Sequence, residues 1–86
     1  MDPSEGEIQF PLICHYKIIA ERSDDVHLRI EAQLREMGVM NPIKLARESA
    51  QRRYLAFDLE ILVHSKDYMN EIDALLRKID GVKMVL

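Results

Sequence analysis

Cysteine occurs once, at Cys14. No internal disulfide can form, a single thiol cannot hold a zinc ion, and a reducing compartment is the expectation. No apolar run approaches the roughly 18 residues of a membrane span. The first nine residues carry Asp2, Glu5 and Glu7 without a base, the reverse of a secretory leader. The chain is therefore expected to be cytoplasmic, with no membrane association. It also lacks a glycine-rich phosphate loop, a nucleophile elbow and an HExxH pair, which removes the residues that nucleotide, acyl-transfer and zinc-protease chemistry require. Repeats, low-complexity tracts and an internal linker are absent.

What remains is an ordinary globular composition: 86 residues, 48% hydrophobic and 31% charged. That length suits one domain, and a domain of this size buries only about 60% of the surface its unfolded chain exposes, so a thin core and a second copy or partner are expected. Fifteen acids against twelve bases give a net charge of -3, which argues against bulk-charge binding of nucleic acid or acidic membrane. With Pro3, Ser4 and Gly6 among its acids, the stretch 1–9 reads as a mobile acidic tail, and 10–86 as the single folded domain.

Residues Leu12 to Glu21 alternate, with Leu12, Cys14, Tyr16, Ile18 and Ala20 on one side and Ile13, His15, Lys17, Ile19 and Glu21 on the other, which predicts a strand. Val26, Ile30, Leu34 and Met37 then recur at helical spacing behind Ser23 or Asp24 as cap, and Gly38 stops that helix. After the Asn41-Pro42 turn, Ile43, Leu45 and Arg47 predict a weaker strand near a sheet edge. The clearest alternation runs from Tyr54 to Val63, with Leu55, Phe57, Leu59, Ile61 and Val63 inward, and predicts a central strand. Ser65 caps a second helix whose stripe is Met69, Ile72, Leu76 and Ile79, and Gly81 ends it. A short strand of Val82, Met84 and Leu86 closes the chain, with Lys83 and Val85 on its opposite side. The order βαββαβ with right-handed crossovers predicts an α+β, ferredoxin-like fold: a four-stranded antiparallel sheet, two helices on one face, and the first and third strands central.

The uncovered face is then expected to present Ile13, His15, Lys17, Ile19, Tyr54, Ala56, Asp58, Glu60, Leu62 and Val85. Scattered surface aliphatics are normal, but a contiguous patch marks a partner or dimer surface. Ile13, His15, Lys17, Ile19, Leu62 and His64 are the candidate interface residues. Antiparallel pairing is expected to bring His15 near His64; no third ligand follows at recognisable spacing, so no metal site is expected. Cys14 points the other way, as a small core residue.

Charge is also unevenly placed. From Lys44 to Arg53 there are four bases, Lys44, Arg47, Arg52 and Arg53, against the single acid Glu48; this hairpin carries +3 and the rest of the chain -6. A solvated loop is the plain account. The functional one is an anion-recognising or partner-docking hairpin made of Lys44, Arg47, Arg52 and Arg53, with Tyr54 adding a stacking surface, since arginine forks match carboxylates and phosphates.

The Phe10-Pro11 start, the Tyr16-Lys17 pair, Ser49 followed by Tyr54 across the hairpin, and the closing Val82-Lys83-Met84-Val85-Leu86 together resemble the YbeD family of small bacterial proteins of unknown function. The resemblance covers about Glu7 to Leu86. It implies a βαββαβ fold similar to the ACT-type regulatory domains, which bind small effectors or pair with copies of themselves, and it implies no established activity. Where the family's hairpin usually has a glycine this chain has Gln51 and Arg52, and Ala20 stands where the first strand often ends in one.

The function expected from the sequence is a non-catalytic regulatory or adaptor module, without cofactor, acting on a protein partner or a small anionic effector as a homodimer. An RNA-binding module is the alternative on fold grounds. It would need aromatics on the two central strands, where His15, Lys17, Ala56 and Asp58 stand instead and Tyr54 is the only ring. An enzyme would need a pocket assembled between subunits, with His15, His64, Asp58 or Glu60 as acid or base.

Overall fold

A computed structural model describes residues 9–49, 51 and 53–86; the acidic stretch before Gln9, and Arg52 of the hairpin, lie outside the described residues. The two long alternating segments form strands with the bounds their patterns set, while the second strand begins at Lys44 and not Ile43 and the last ends at Val85 and not Leu86. β1 spans Leu12–Glu21 and β3 spans Tyr54–Val63, and they pair antiparallel along their whole length, Leu12 opposite Val63 and Glu21 opposite Tyr54. β2, Lys44–Glu48, adds to the outer side of β3, and β4, Val82–Val85, to the outer side of β1, giving the order β2-β3-β1-β4. The ferredoxin-like arrangement with β1 and β3 central is as expected.

The helices α1, Val26–Glu36, and α2, Lys66–Lys78, touch each other on one face of this sheet, and α2 lies over β3 and β4. Between helices and sheet, Ile18, Phe57, Leu59 and Val63 meet Val26, Ile30, Leu34, Ile72 and Leu76, all 2% exposed or less. Each such side chain contributes about 1.5–3 kcal/mol by leaving water. Tyr16 joins this core through its ring and donates its hydroxyl to the Met69 carbonyl at 3.4 Å; burial, with lesser contributions from Cys14, Asp73 and Tyr68, pushes its pKa up to about 12.

Helix ends follow local chemistry with one exception. Ser65 is the N-cap of α2, its Oγ accepting the Tyr68 N–H at 3.1 Å, and Asp67 in the first turn with Arg77 and Lys78 in the last complement the dipole. α1 instead begins after Asp25, and neither Ser23 nor Asp24 caps it. Asp25 and Ser23 are engaged by Arg29, whose Nη2 reaches Asp25 Oδ1 at 2.7 Å while Nη1 donates to the Asp80 carbonyl at 2.6 Å. Ser23 and Arg29 hold the Asp25 carboxyl below its usual range. This brace ties the β1–α1 turn to the α2–β4 turn. Gly38 follows the C-cap Met37 at φ +80°, the left-handed position that ends a helix without a Cβ clash.

The last strand departs from its pattern beyond Val82, which packs against the core while Met84 and Val85 exchange sides. Ile18 pairs with Val85 and Ile19 with Met84, but Ala20 pairs with Val82, so Lys83 of β4 is the extra residue, bulged opposite the Ile19–Ala20 step. The bulge turns Val85 into the core and leaves Met84 48% exposed on the open face. β2 carries a second irregularity between Leu45 and Arg47. Leu45 pairs with Phe57 on the helix-side surface yet is 58% exposed, because β2 is an edge strand with every residue exposed.

Candidate functional site

The register turns the open face into three bands across the strands. At one end Ile13 lies opposite Leu62, and both are about half exposed. Through the middle run His15 opposite Glu60 and Lys17 opposite Asp58, with Lys44 of β2 on the other side of Asp58. At the far end Ile19 lies between Ala56 and Met84, beside the exposed ring of Tyr54. The face is therefore apolar at the Ile13–Leu62 end, charged through the middle, and mixed at the far end, where Arg47 stands opposite Ala56 and Glu21 opposite Tyr54.

Within the charged band His15 Nδ1 is 3.6 Å from Glu60 Oε2, both side chains largely exposed. A pair in that setting contributes little to stability. His15, Lys17, Lys44, Asp58 and Glu60 line a shallow, solvent-open hollow of about 650 Å³ with Asn41, whose amide donates to the Glu60 carbonyl at 2.8 Å. His64 does not join them. β1–β3 pairing ends at Leu12 and Val63, so His64 lies beyond the ladder and about 13 Å along the strand from His15's partner, at 3.3 Å per residue. It lines a different depression, with Gly38, Val39, Asn41 and Tyr68. No group of three metal-ligating side chains occurs among the described residues.

The β2–β3 hairpin is organised by Ser49. Its backbone N–H donates to the Tyr54 carbonyl at 3.0 Å, and its Oγ accepts the N–H groups of both Arg53 and Tyr54 at 3.1 Å. The Arg22 N–H donates to the Arg53 carbonyl at 2.9 Å, fastening the turn to the end of β1. Glu48, the hairpin's acid, forms an ion pair with Arg22. That neutralises the local anion and leaves Lys44, Arg47 and Arg53 without an ion-pair partner among the described residues. Arg47 pairs with Ala56 and so faces the open side. There Arg47, Ser49 and Tyr54 surround a depression of about 350 Å³ floored by Ile19, Leu55 and Ala56. Of the hairpin residues expected from the sequence, Arg47 and Tyr54 thus come together. Lys44 stands two pairs further along, opposite Asp58, and Arg53 sits in the turn. Ile19 and Ser49 were not anticipated as parts of this site, although the Ser49–Tyr54 spacing carried the signal.

A four-stranded antiparallel sheet with two helices on one face and this strand order is an ACT-like α+β fold. The ACT domain of a GTP pyrophosphokinase from Chlorobium tepidum superposes with a TM-score of 0.65 at 20% identity, covering 87% of this chain and 95% of that one. The solution structure of protein HP0495 from Helicobacter pylori superposes with a TM-score of 0.79 at 19% identity, over 100% of this chain and 96% of that one. In sequence, the UPF0250 proteins of Shewanella frigidimarina and Shewanella amazonensis are 27% and 25% identical to it over 79 residues, 92% of this chain and 90% of each relative. Residues 5–86 match the family described as protein of unknown function DUF493, and the chain belongs to that family. The YbeD resemblance read from the sequence is thereby borne out. Among the described residues no helix is long and apolar enough to cross a membrane.

Proposed function

We propose that this chain is a non-catalytic, cytoplasmic binding module of regulatory or adaptor type, whose basic hairpin and open sheet face recognise an anionic group on a small effector or a partner protein. The observation that carries this reading is the depression between Arg47, Ser49 and Tyr54, where a guanidinium without an ion-pair partner among the described residues stands over an apolar floor of Ile19 and Ala56. Guanidinium forks bind carboxylate and phosphate groups in two parallel hydrogen bonds. Ser49 Oγ already accepts two N–H groups, so its own proton is free to be donated to an anion. At about 350 Å³ the depression lies at the lower end of the usual range for small-ligand sites, roughly 300–1,000 Å³, which suits a small acid with an apolar body. Likeness to an ACT domain of a larger enzyme supports a regulatory role.

The test is a titration of the labelled protein with a panel of small carboxylates and phosphates, followed by backbone NMR. Concerted shifts at Ile19, Arg47, Ser49, Tyr54 and Ala56, abolished by Arg47→Glu with Arg53→Glu, are expected. Shifts elsewhere, or shifts indifferent to the double variant, overturn the assignment.

A further inference from the structure

β1 is ten residues long, but β4 covers only its second half. On the β4 side the ladder ends where Lys17 and Leu86 exchange both backbone hydrogen bonds, at 2.9 and 2.8 Å. In a strand, alternate residues direct their N–H and C=O to the same side. Ile13 and His15 therefore aim theirs at the same side as Lys17, and they have no hydrogen-bond partner there among the described residues. The other edges are guarded. β2 presents Lys44, Arg47 and Glu48 with an irregular register, and Arg77 donates to the outward Val85 carbonyl of β4 at 3.0 Å. An unguarded edge is a template for another strand.

We infer that the Leu12–Tyr16 edge pairs with the same segment of a second copy of this chain, antiparallel about a two-fold axis at Cys14. The register follows from the free groups. Lys17 is already taken by Leu86, and Pro11 has no N–H to donate. An axis at Ile13 would oppose His15 to Pro11. An axis at Cys14 instead opposes Ile13 to His15 of the second copy and His15 to its Ile13, satisfying every free donor and acceptor with about four hydrogen bonds. A copy of the segment carries the same two free donors and acceptors at the same spacing, which makes the edge complementary to itself.

Side chains agree with this occupant. On the helix side the axis sets Cys14 against Cys14 and Leu12 against Tyr16, beside a mainly apolar groove of about 430 Å³ that Cys14 and Tyr16 line with Met69, Val85 and Leu86. Half-buried Leu12 and Cys14 would become fully covered. The two sheets would join into one of eight strands, leaving the Arg47–Tyr54 depression free on each copy. This pairing is independent of the anion site.

Amide hydrogen exchange on the full chain, run across a concentration series with sedimentation in parallel, tests it. Cys14 and Tyr16, whose amides point to β3, are expected to be protected throughout, whereas Ile13 and His15 are expected to gain at least about ten-fold protection as the dimer forms. Diamide, which takes up two electrons and two protons from a pair of thiols, is then expected to join the Cys14 side chains into a covalent dimer. Three results overturn the pairing: a monomer at millimolar concentration, a dimer in which Ile13 and His15 exchange freely, or protection of both amides in the monomer, which would mean that this chain's own residues cover the edge.

Discussion

The Ser49 hydroxyl accepts the backbone N–H of Tyr54 at 3.1 Å while the Ser49 N–H donates to the Tyr54 carbonyl at 3.0 Å, so one residue closes the β2–β3 hairpin with both its side chain and its backbone. Tyr54 and Arg47 are thereby held on either side of the same depression. Ser49→Ala is expected to cost about 1 kcal/mol in urea denaturation, the size of one ordinary hydrogen bond. It is also expected to broaden the amide signals of Arg53 and Tyr54. Unchanged signals would show that the turn holds itself.

Ser65 tests the second helix. Its Oγ accepts the Tyr68 N–H, and Ser65→Ala is expected to destabilise the protein by about 1 kcal/mol. The Ser23→Ala and Asp24→Ala variants are expected to differ from it, because neither residue caps α1. Denaturation midpoints of the three variants make the comparison.

The β4 bulge at Lys83 sets which of Met84 and Val85 faces the core. Val85 is 3% exposed and Met84 48% exposed, so Val85→Ala is expected to cost about 1.5–3 kcal/mol and Met84→Ala within about 0.5 kcal/mol. Equal costs, measured by chemical denaturation, would contradict the shifted register.

Tyr16 sets an alkaline limit. Its folded pKa of about 12 lies above the ordinary value of 10.0, so folding favours the neutral phenol. That contribution is fully present below pH 10 and is lost as the pH rises from about 10 to 12, where the unfolded chain ionises first. Stability followed through that window is expected to fall in the wild type, with a shallower fall in Tyr16→Phe.

Much of this was legible in the sequence because local pattern and tertiary environment agree. β1 and β3 are central and buried on one face only, so period-two alternation set both their bounds and their facing. Ser65 caps because, among the described residues, no other partner competes for its hydroxyl. Where a distant residue intervenes, legibility stops. Arg29 takes Ser23 and Asp25 away from capping, and the bulge at Lys83, opposite the Ile19–Ala20 step, reverses the facing of Met84 and Val85. His15 meets Glu60 and not His64 because register, which one chain's pattern does not fix, sets cross-strand neighbours. The hairpin's charge bias was readable, but the pairing of Glu48 with Arg22 depends on the end of β1 lying beside it.

The central claim is that Arg47 and its neighbours receive an anion. Its most direct measurement is the NMR titration of wild type beside the Arg47→Glu, Arg53→Glu variant with small carboxylates and phosphates at fixed ionic strength. Saturable shifts confined to the Ile19, Ser49, Tyr54 and Ala56 surroundings in the wild type, and absent in the folded variant, are the expected result. A folded variant that binds the same ligands as tightly as the wild type would contradict it.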